Sequence, residues 1–302
     1  HAARRPRASS RQARRVRVCL VAAPLEGRSG VFLSARNLVT EARSRGWEWS
    51  AVLGMRPSAP PPVDDGCPGV LELTASRHGF DGVAEIVEQL QSRPELLQAD
   101  AVITLITQSD LALARMAPDL DVPWVAYVRG LPWPARGEQG LVKRVVQRVA
   151  ETRALRAADD VWATTDVLAD SIRRARTARI VPAGIPLADA TVAAAPSDGG
   201  HVVWAGRFAV DKRPELFAQL MADLPYPAVM FGAGALEEQV RAAVPASVEV
   251  RGWSDPSSLW DGAAVFVGTS YREAFGRSAV EAASVGVPVV LGASYGAAPL
   301  LY

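Results

Sequence analysis

The chain is poor in the residues that staple or metallate small proteins: its 302 residues contain two cysteines and three histidines. Cys19 falls in an apolar run and Cys67 in a Pro/Gly-rich segment, which excludes a disulfide framework and suits a reducing cytoplasm. His1, His78 and His201 are too scattered for a zinc set. No apolar run reaches the roughly 20 residues that span a bilayer, so any membrane contact would be peripheral. Charge is balanced at net +1, which argues against a dedicated nucleic-acid binder. Lysine is scarce, at two against 31 arginines. The first fifteen residues, HAARRPRASSRQARR, carry six arginines and no apolar h-region. They are no signal peptide, and a basic disordered tail is expected over 1–15.

What the chain has is a 49% hydrophobic content arranged as short apolar runs alternating with helix-period stretches, the pattern of parallel strands joined by helical crossovers. Strands are expected at 16–24, at WSAVLGM, and at 99–107, 122–128, 159–165 and 178–184, with an amphipathic helix from Val31 to Arg45. These make one Rossmann-like domain over 16–185. Residues 186–200, PLADATVAAAPSDGG, lose the periodicity and read as a linker. The pattern restarts at 201–302, with strands at 201–206, 226–232, 246–252, 263–268 and 287–292, each apolar enough to be buried on both faces. The expected fold is α/β, two doubly wound parallel-sheet domains facing a cleft. In such sheets ligands bind at the carboxyl ends of the strands.

Two loops at those ends carry chemistry. In GRFAVDKRPELF, Arg207 and Lys212 follow a strand and precede a helix, so two cations and free helix amides can meet a diphosphate. A compact ammonium at 212 stands out in a chain that otherwise uses arginine. In SYREAFGRSAVEAASVGVPVV, Glu273 lies in a loop after a strand, Phe275-Gly276-Arg277-Ser278 should open a helix, and Glu281 sits about one turn in. A carboxylate at that place can accept hydrogen bonds from both hydroxyls of a ribose, while Glu273 can hold those of a second sugar.

These two pairs, with EAFGRSAVEAASVGVPVV around the glutamates, resemble the signature of family 4 glycosyltransferases, retaining enzymes of the GT-B fold. GRSGVFLSARNLVTEARSRGWEWSAV, AADDVWATTDVLADSI, ARIVPAGIP and FGAGALEEQV resemble further segments of that family in the same order. The resemblance implies transfer of a sugar from a nucleotide diphosphate sugar to an unidentified acceptor, with retention of configuration and with neither metal nor other cofactor. It implies that Arg207 and Lys212 stabilise the departing diphosphate, that Glu273 holds the donor sugar beside the amides of Phe275 and Gly276, and that Glu281 holds the ribose. Gly30 would let the backbone approach donor or acceptor, and the backbone around Arg251 and Trp253 would read the base. It also implies further helices beyond Tyr302, so that the donor domain is expected either to be incomplete there or to be that of a shortened member.

The sequence departs from the family where many members carry a histidine that touches the reacting sugar. Here Arg129 precedes Gly130. A guanidinium is always charged and can bind a phosphate or carboxylate, on donor or acceptor, but cannot do acid–base work. A catalytically silent nucleotide-sugar binding protein, or another GT-B enzyme such as an epimerase, therefore stands as the alternative. The Gly232-Ala233-Gly234 turn alone is no dinucleotide fingerprint, and Asp119-Leu120-Asp121 precedes a strand rather than following one. The helix 141–157 sets apolar positions against Lys143, Arg144, Arg148, Arg153 and Arg156, either as a solvated face or as a surface that attracts an anionic membrane, by peripheral contact, or an anionic acceptor.

Overall fold

The computed structural model describes residues 16–28, 30–59, 66–133, 140–185, 199–252, 258–293 and 295–301. The expected basic tail, most of the linker at 186–198, and Trp253 lie outside these residues. Contacts divide the chain into two compact units, the division falling between Val125 and Ala126.

The strands form two sheets. A seven-stranded sheet has the order β3-β2-β1-β4-β5-β6-β7, from β1 (Val18–Leu25), β2 (Trp49–Met55), β3 (Val70–Thr74), β4 (Ala101–Thr104), β5 (Trp124–Val128), β6 (Asp160–Ala163) and β7 (Arg179–Ile180). β1 lies between β2 and β4, parallel to both, and is buried along most of its length. The helix expected from Val31 is α1 (Val31–Ser44). It packs Phe32, Ala35 and Val39 into the core.

The five-stranded sheet has the order β10-β9-β8-β11-β12, from β8 (His201–Ala205), β9 (Ala228–Phe231), β10 (Val248–Arg251), β11 (Ala263–Gly268) and β12 (Val289–Leu291). Alternation along its strands sorts the side chains onto two faces, as a period of two requires. Val202, Trp204, Ala228 and Met230 share a cluster with Phe217 and Met221 of α6 (Pro214–Ala222) and Val240 of α7 (Glu237–Ala243). Val203, Val229, Phe231 and Phe266 share the other with Ala279 and Ala282 of α8 (Arg277–Ser284). Helices therefore cover both faces, and the sheet is doubly wound as the periodicity indicates.

The strands are less uniform than their apolar content suggests. β10 and β12 are the edges of their sheet, with Glu249, Arg251 and Val290 exposed, because an edge strand has one neighbour and solvent on its other side. β7 is a two-residue exposed strand, much shorter than the segment 178–184. Among the elements absent from the sequence reading are the edge strand β3, whose VLELT carries a central glutamate, and the helices α2 (Gly79–Gln91) and α3 (Thr107–Met116).

Candidate functional site

The five-stranded sheet changes direction between β8 and β11. From β8 the chain leaves through α6 on one face, and from β11 through α8 on the other. Loops that part in this way leave a crevice at the carboxyl ends of the two strands. Both sequence-derived loops, 206–213 and 269–276, lie there.

The first loop is held by backbone contacts that need glycine and by one hydroxyl. Gly232 and Gly234 have φ of 144° and 157°, and a Cβ on either would overlap the carbonyl oxygens of Gly206 and Phe208. The Gly-x-Gly turn is thus a close approach of two loops. Phe208 is fully buried and stacks on Trp204 at 5.4 Å. Thr269 accepts from Trp204 Nε1 at 2.9 Å, and its Oγ1 lies 2.9 Å from the carbonyl oxygens of both Lys212 and Arg213. Lys212 is thereby fixed against the end of β11.

The second loop brings Glu273 to the same point. Lys212 Nζ lies 2.5 Å from Glu273 Oε2, with both side chains more than four-fifths buried. Ser270 donates to the same carboxylate oxygen at 3.4 Å, and Tyr295 Oη donates to Ser270 at 3.2 Å. Burial pushes the Tyr295 hydroxyl above its ordinary pKa, although its bond to Ser270 pulls the other way. Gly276 has φ 94° and caps α8. A Cβ there would lie 2.5 Å from the Tyr295 ring. The Phe275 carbonyl accepts from Ala297 at 2.8 Å. These groups enclose a cavity of about 140 Å³ lined by Trp204, Gly206, Lys212, Ser270, Glu273, Gly276, Arg277, Ser278 and Tyr295, among others.

The remaining sequence-derived residues are placed differently. Arg207 is mostly exposed and lies 4.0 Å from Asp211, whose other cationic neighbour is Lys212 at 3.9 Å. The two cations therefore flank one carboxylate, and Arg207 does not line the cavity. Glu281 is paired with Arg277, one helical turn before it, at 2.6 Å. Arg251 forms a two-point ion pair with Glu249 and packs over Phe231. Gly30 takes a φ of 50° ahead of α1 with open space where a side chain would be, so glycine is required there by the backbone angle.

Arg129 is half-buried, with its guanidinium 5.4 Å from the Tyr127 ring. Burial lowers its pKa, Tyr127 works against that, and the charge of Arg277 lowers it further. The segment 270–276 is tied to this region by Thr165, whose hydroxyl donates to the Ala274 carbonyl at 3.1 Å while accepting from Leu168 as the cap of α5 (Asp166–Ile172). Sequence reasoning missed Asp211, Arg277 and Tyr295. Asp211 and Arg277 stand inside quoted motifs and were legible as charges. Tyr295 carried no signal, since its role arises from packing against Gly276 and Gly268.

Among the described residues no three His, Cys, Asp or Glu side chains converge as a metal site would need. The arrangement is a small polar cavity with an ammonium, two guanidiniums nearby, a carboxylate, and the N-terminal turn of a helix. Such a set suits an anionic ligand that also carries hydroxyls.

Residues 29–188 match the family described as Glycosyl transferase 4-like domain, and residues 199–301 match that described as Glycosyl transferases group 1. No curated protein is matched by sequence. Among solved structures, sucrose-phosphate synthase from Thermosynechococcus elongatus is similar at a TM-score of 0.75 and 20% identity, over 94% of this chain and 83% of that one. HepE of Anabaena in complex with UDP and glucose is similar at 0.69 and 19%, over 94% and 83%. WaaG, a glycosyltransferase of lipopolysaccharide biosynthesis, is similar at 0.67 and 15%, over 95% and 83%.

Proposed function

Because the chain belongs to the glycosyl transferase 4-like family and is a glycosyltransferase of the GT-B fold, we propose that it transfers a sugar from a nucleoside diphosphate sugar with retention of configuration and without a metal. The observation that carries this is the Lys212–Glu273 pair in the crevice between β8 and β11, beside the first turn of α8. Each partner is stabilised by the other until a ligand replaces it. A diphosphate draws Lys212 away, and the freed Glu273 accepts hydrogen bonds from the hydroxyls of the donor sugar.

Charge grows on the diphosphate as its bond to the anomeric carbon breaks, and fixed cations stabilise that charge most where water is excluded. Lys212 is the buried cation; Arg207, exposed at the rim, closes on the phosphates when the donor is seated. Glu281 turns from Arg277 to the ribose, and Arg277 then faces the phosphates together with Arg129. Two like charges near each other favour an anionic ligand, so Arg129 holds a phosphate or carboxylate of donor or acceptor. Support for a uridine donor comes from HepE, whose structures hold UDP and UDP-glucose.

Calorimetric titration of UDP, GDP, ADP and TDP in the presence of chelator tests the donor site. One nucleotide should bind, and Lys212→Ala and Glu281→Ala should each weaken it roughly 10- to 100-fold, the loss of a charge-assisted hydrogen bond. Slow release of the nucleoside diphosphate from the matching sugar donor, abolished in Glu273→Ala, identifies turnover. Binding without release from any donor would instead describe a silent sugar-nucleotide binder. Absence of binding by all four would overturn the site.

A further inference from the structure

The helix α4 (Leu141–Ala157) has two apolar sides. On the inner side Ala154 and Leu155 are buried. On the outer side Leu141, Val142, Val145, Val146 and Val149 are 67%, 77%, 52%, 47% and 45% exposed. At 3.6 residues per turn these five fall within an arc of about 140°. Scattered exposed apolar residues need no explanation, whereas a contiguous stripe indicates a surface that is covered when the protein works.

The charges decide what covers it. Lys143, Arg144 and Arg148 border the stripe, Arg148 with its guanidinium 5.4 Å from the Trp133 ring, and Arg153 continues it; the Arg156 guanidinium instead donates to the carbonyls of Arg174 and Ala175. The helix's one acid, Glu151, is buried and accepts from Gln147 at 2.7 Å and from the backbone N–H of Trp133. The outer face thus presents apolar side chains and cations, and no acid of the helix. A two-fold contact with a second copy would set these cations against themselves. A surface of anionic lipid satisfies both features, taking the valines at its acyl boundary and the cations at its phosphates. No helix among the described residues is long and apolar enough to cross a membrane, so α4 would lie along it.

We propose that the outer face of α4 docks this protein on an anionic lipid surface. The inference is independent of the donor reading, since it uses no residue of the cavity. It is tested by sedimentation with vesicles of phosphatidylcholine, with or without phosphatidylglycerol. The protein should sediment with the phosphatidylglycerol vesicles and be released as salt rises. Lys143→Gln combined with Arg144→Gln should lower the partition coefficient roughly 30-fold, for two cations removed from an anionic surface. Val142→Ser combined with Val146→Ser should lower it about tenfold or more. Unchanged circular dichroism melting shows that both variants fold, and unchanged nucleotide titration keeps the result separate from the donor site. The proposal fails if the protein sediments with neither vesicle, or if binding is indifferent to both variants. It also fails if the valine variant instead abolishes self-association, which would assign the stripe to a second copy.

Discussion

Lys212 and Glu273 illustrate how single residues set the geometry of the crevice. With both side chains more than four-fifths buried, either charge would be costly were the other absent, and the pair offsets that cost. Arg129 is a different case. Burial and the neighbouring Arg277 both lower its pKa, yet a guanidinium starts so high that it remains charged. It can bind an anion and cannot shuttle a proton. Gly276 is fixed by two constraints at once, a left-handed φ of 94° and the Tyr295 ring where a Cβ would go. We expect Gly276→Ala to destabilise the protein by about 2 kcal/mol or more, from left-handed strain and displaced packing, seen as a lower urea midpoint. Ser278, two residues further and lining the cavity, has no such constraint.

At the scale of elements, α8 and α4 show what a helix contributes beyond its side chains. α8 is a short helix whose small residues Ala279 and Ala282 let it lie close on the sheet, so that its first turn reaches the cavity. In α4, Glu151 is buried, and burial raises its pKa despite hydrogen bonds from Gln147 and the Trp133 backbone that lower it. The sign follows from proton binding. With the folded pKa raised, the native state holds more protons than the unfolded chain between the two values, so stability falls as pH rises through that window. Glu151→Gln should therefore raise the melting temperature at neutral pH and lose that advantage below the ordinary glutamate pKa. Thermal melts of both proteins across that range check it. An advantage constant with pH would show that hydrogen bonding, not ionisation, sets the cost.

At the scale of the whole molecule, the central strand β1 offers a probe of cooperative unfolding. Cys19 is fully buried there, and burial pushes its thiol up to about 11, in spite of a hydrogen bond with Ser50 that lowers it. Cys67 is half-buried in a loop. At about pH 8, where an ordinary thiol is partly ionised, iodoacetamide should label Cys67 alone in the native protein. Cys19 should follow only in denaturant, at the rate at which the seven-stranded sheet opens. Labelling of both thiols in native protein would mean that β1 opens locally.

The sequence by itself determined the class of fold, because apolar runs at strand length alternating with helical periods leave few other arrangements. It also located the two loops that meet in the crevice between β8 and β11, since Lys212 and Glu273 stand beside strand ends and a glycine-led helix. It could not show edges. β3, β10 and β12 depend on which strands lie beside them, and a mixed run such as VLELT reads equally well as loop. Tertiary structure alone decided that Lys212 meets Glu273, that Arg207 stands outside the cavity with Asp211 between the two cations, and that Tyr295 closes the wall behind Gly276. The reason is physical: strand and helix formation depends on neighbours along the chain, whereas the Lys212–Glu273 pair and the Tyr295–Ser270 bond join residues that the fold brings together from 61 and 25 positions apart.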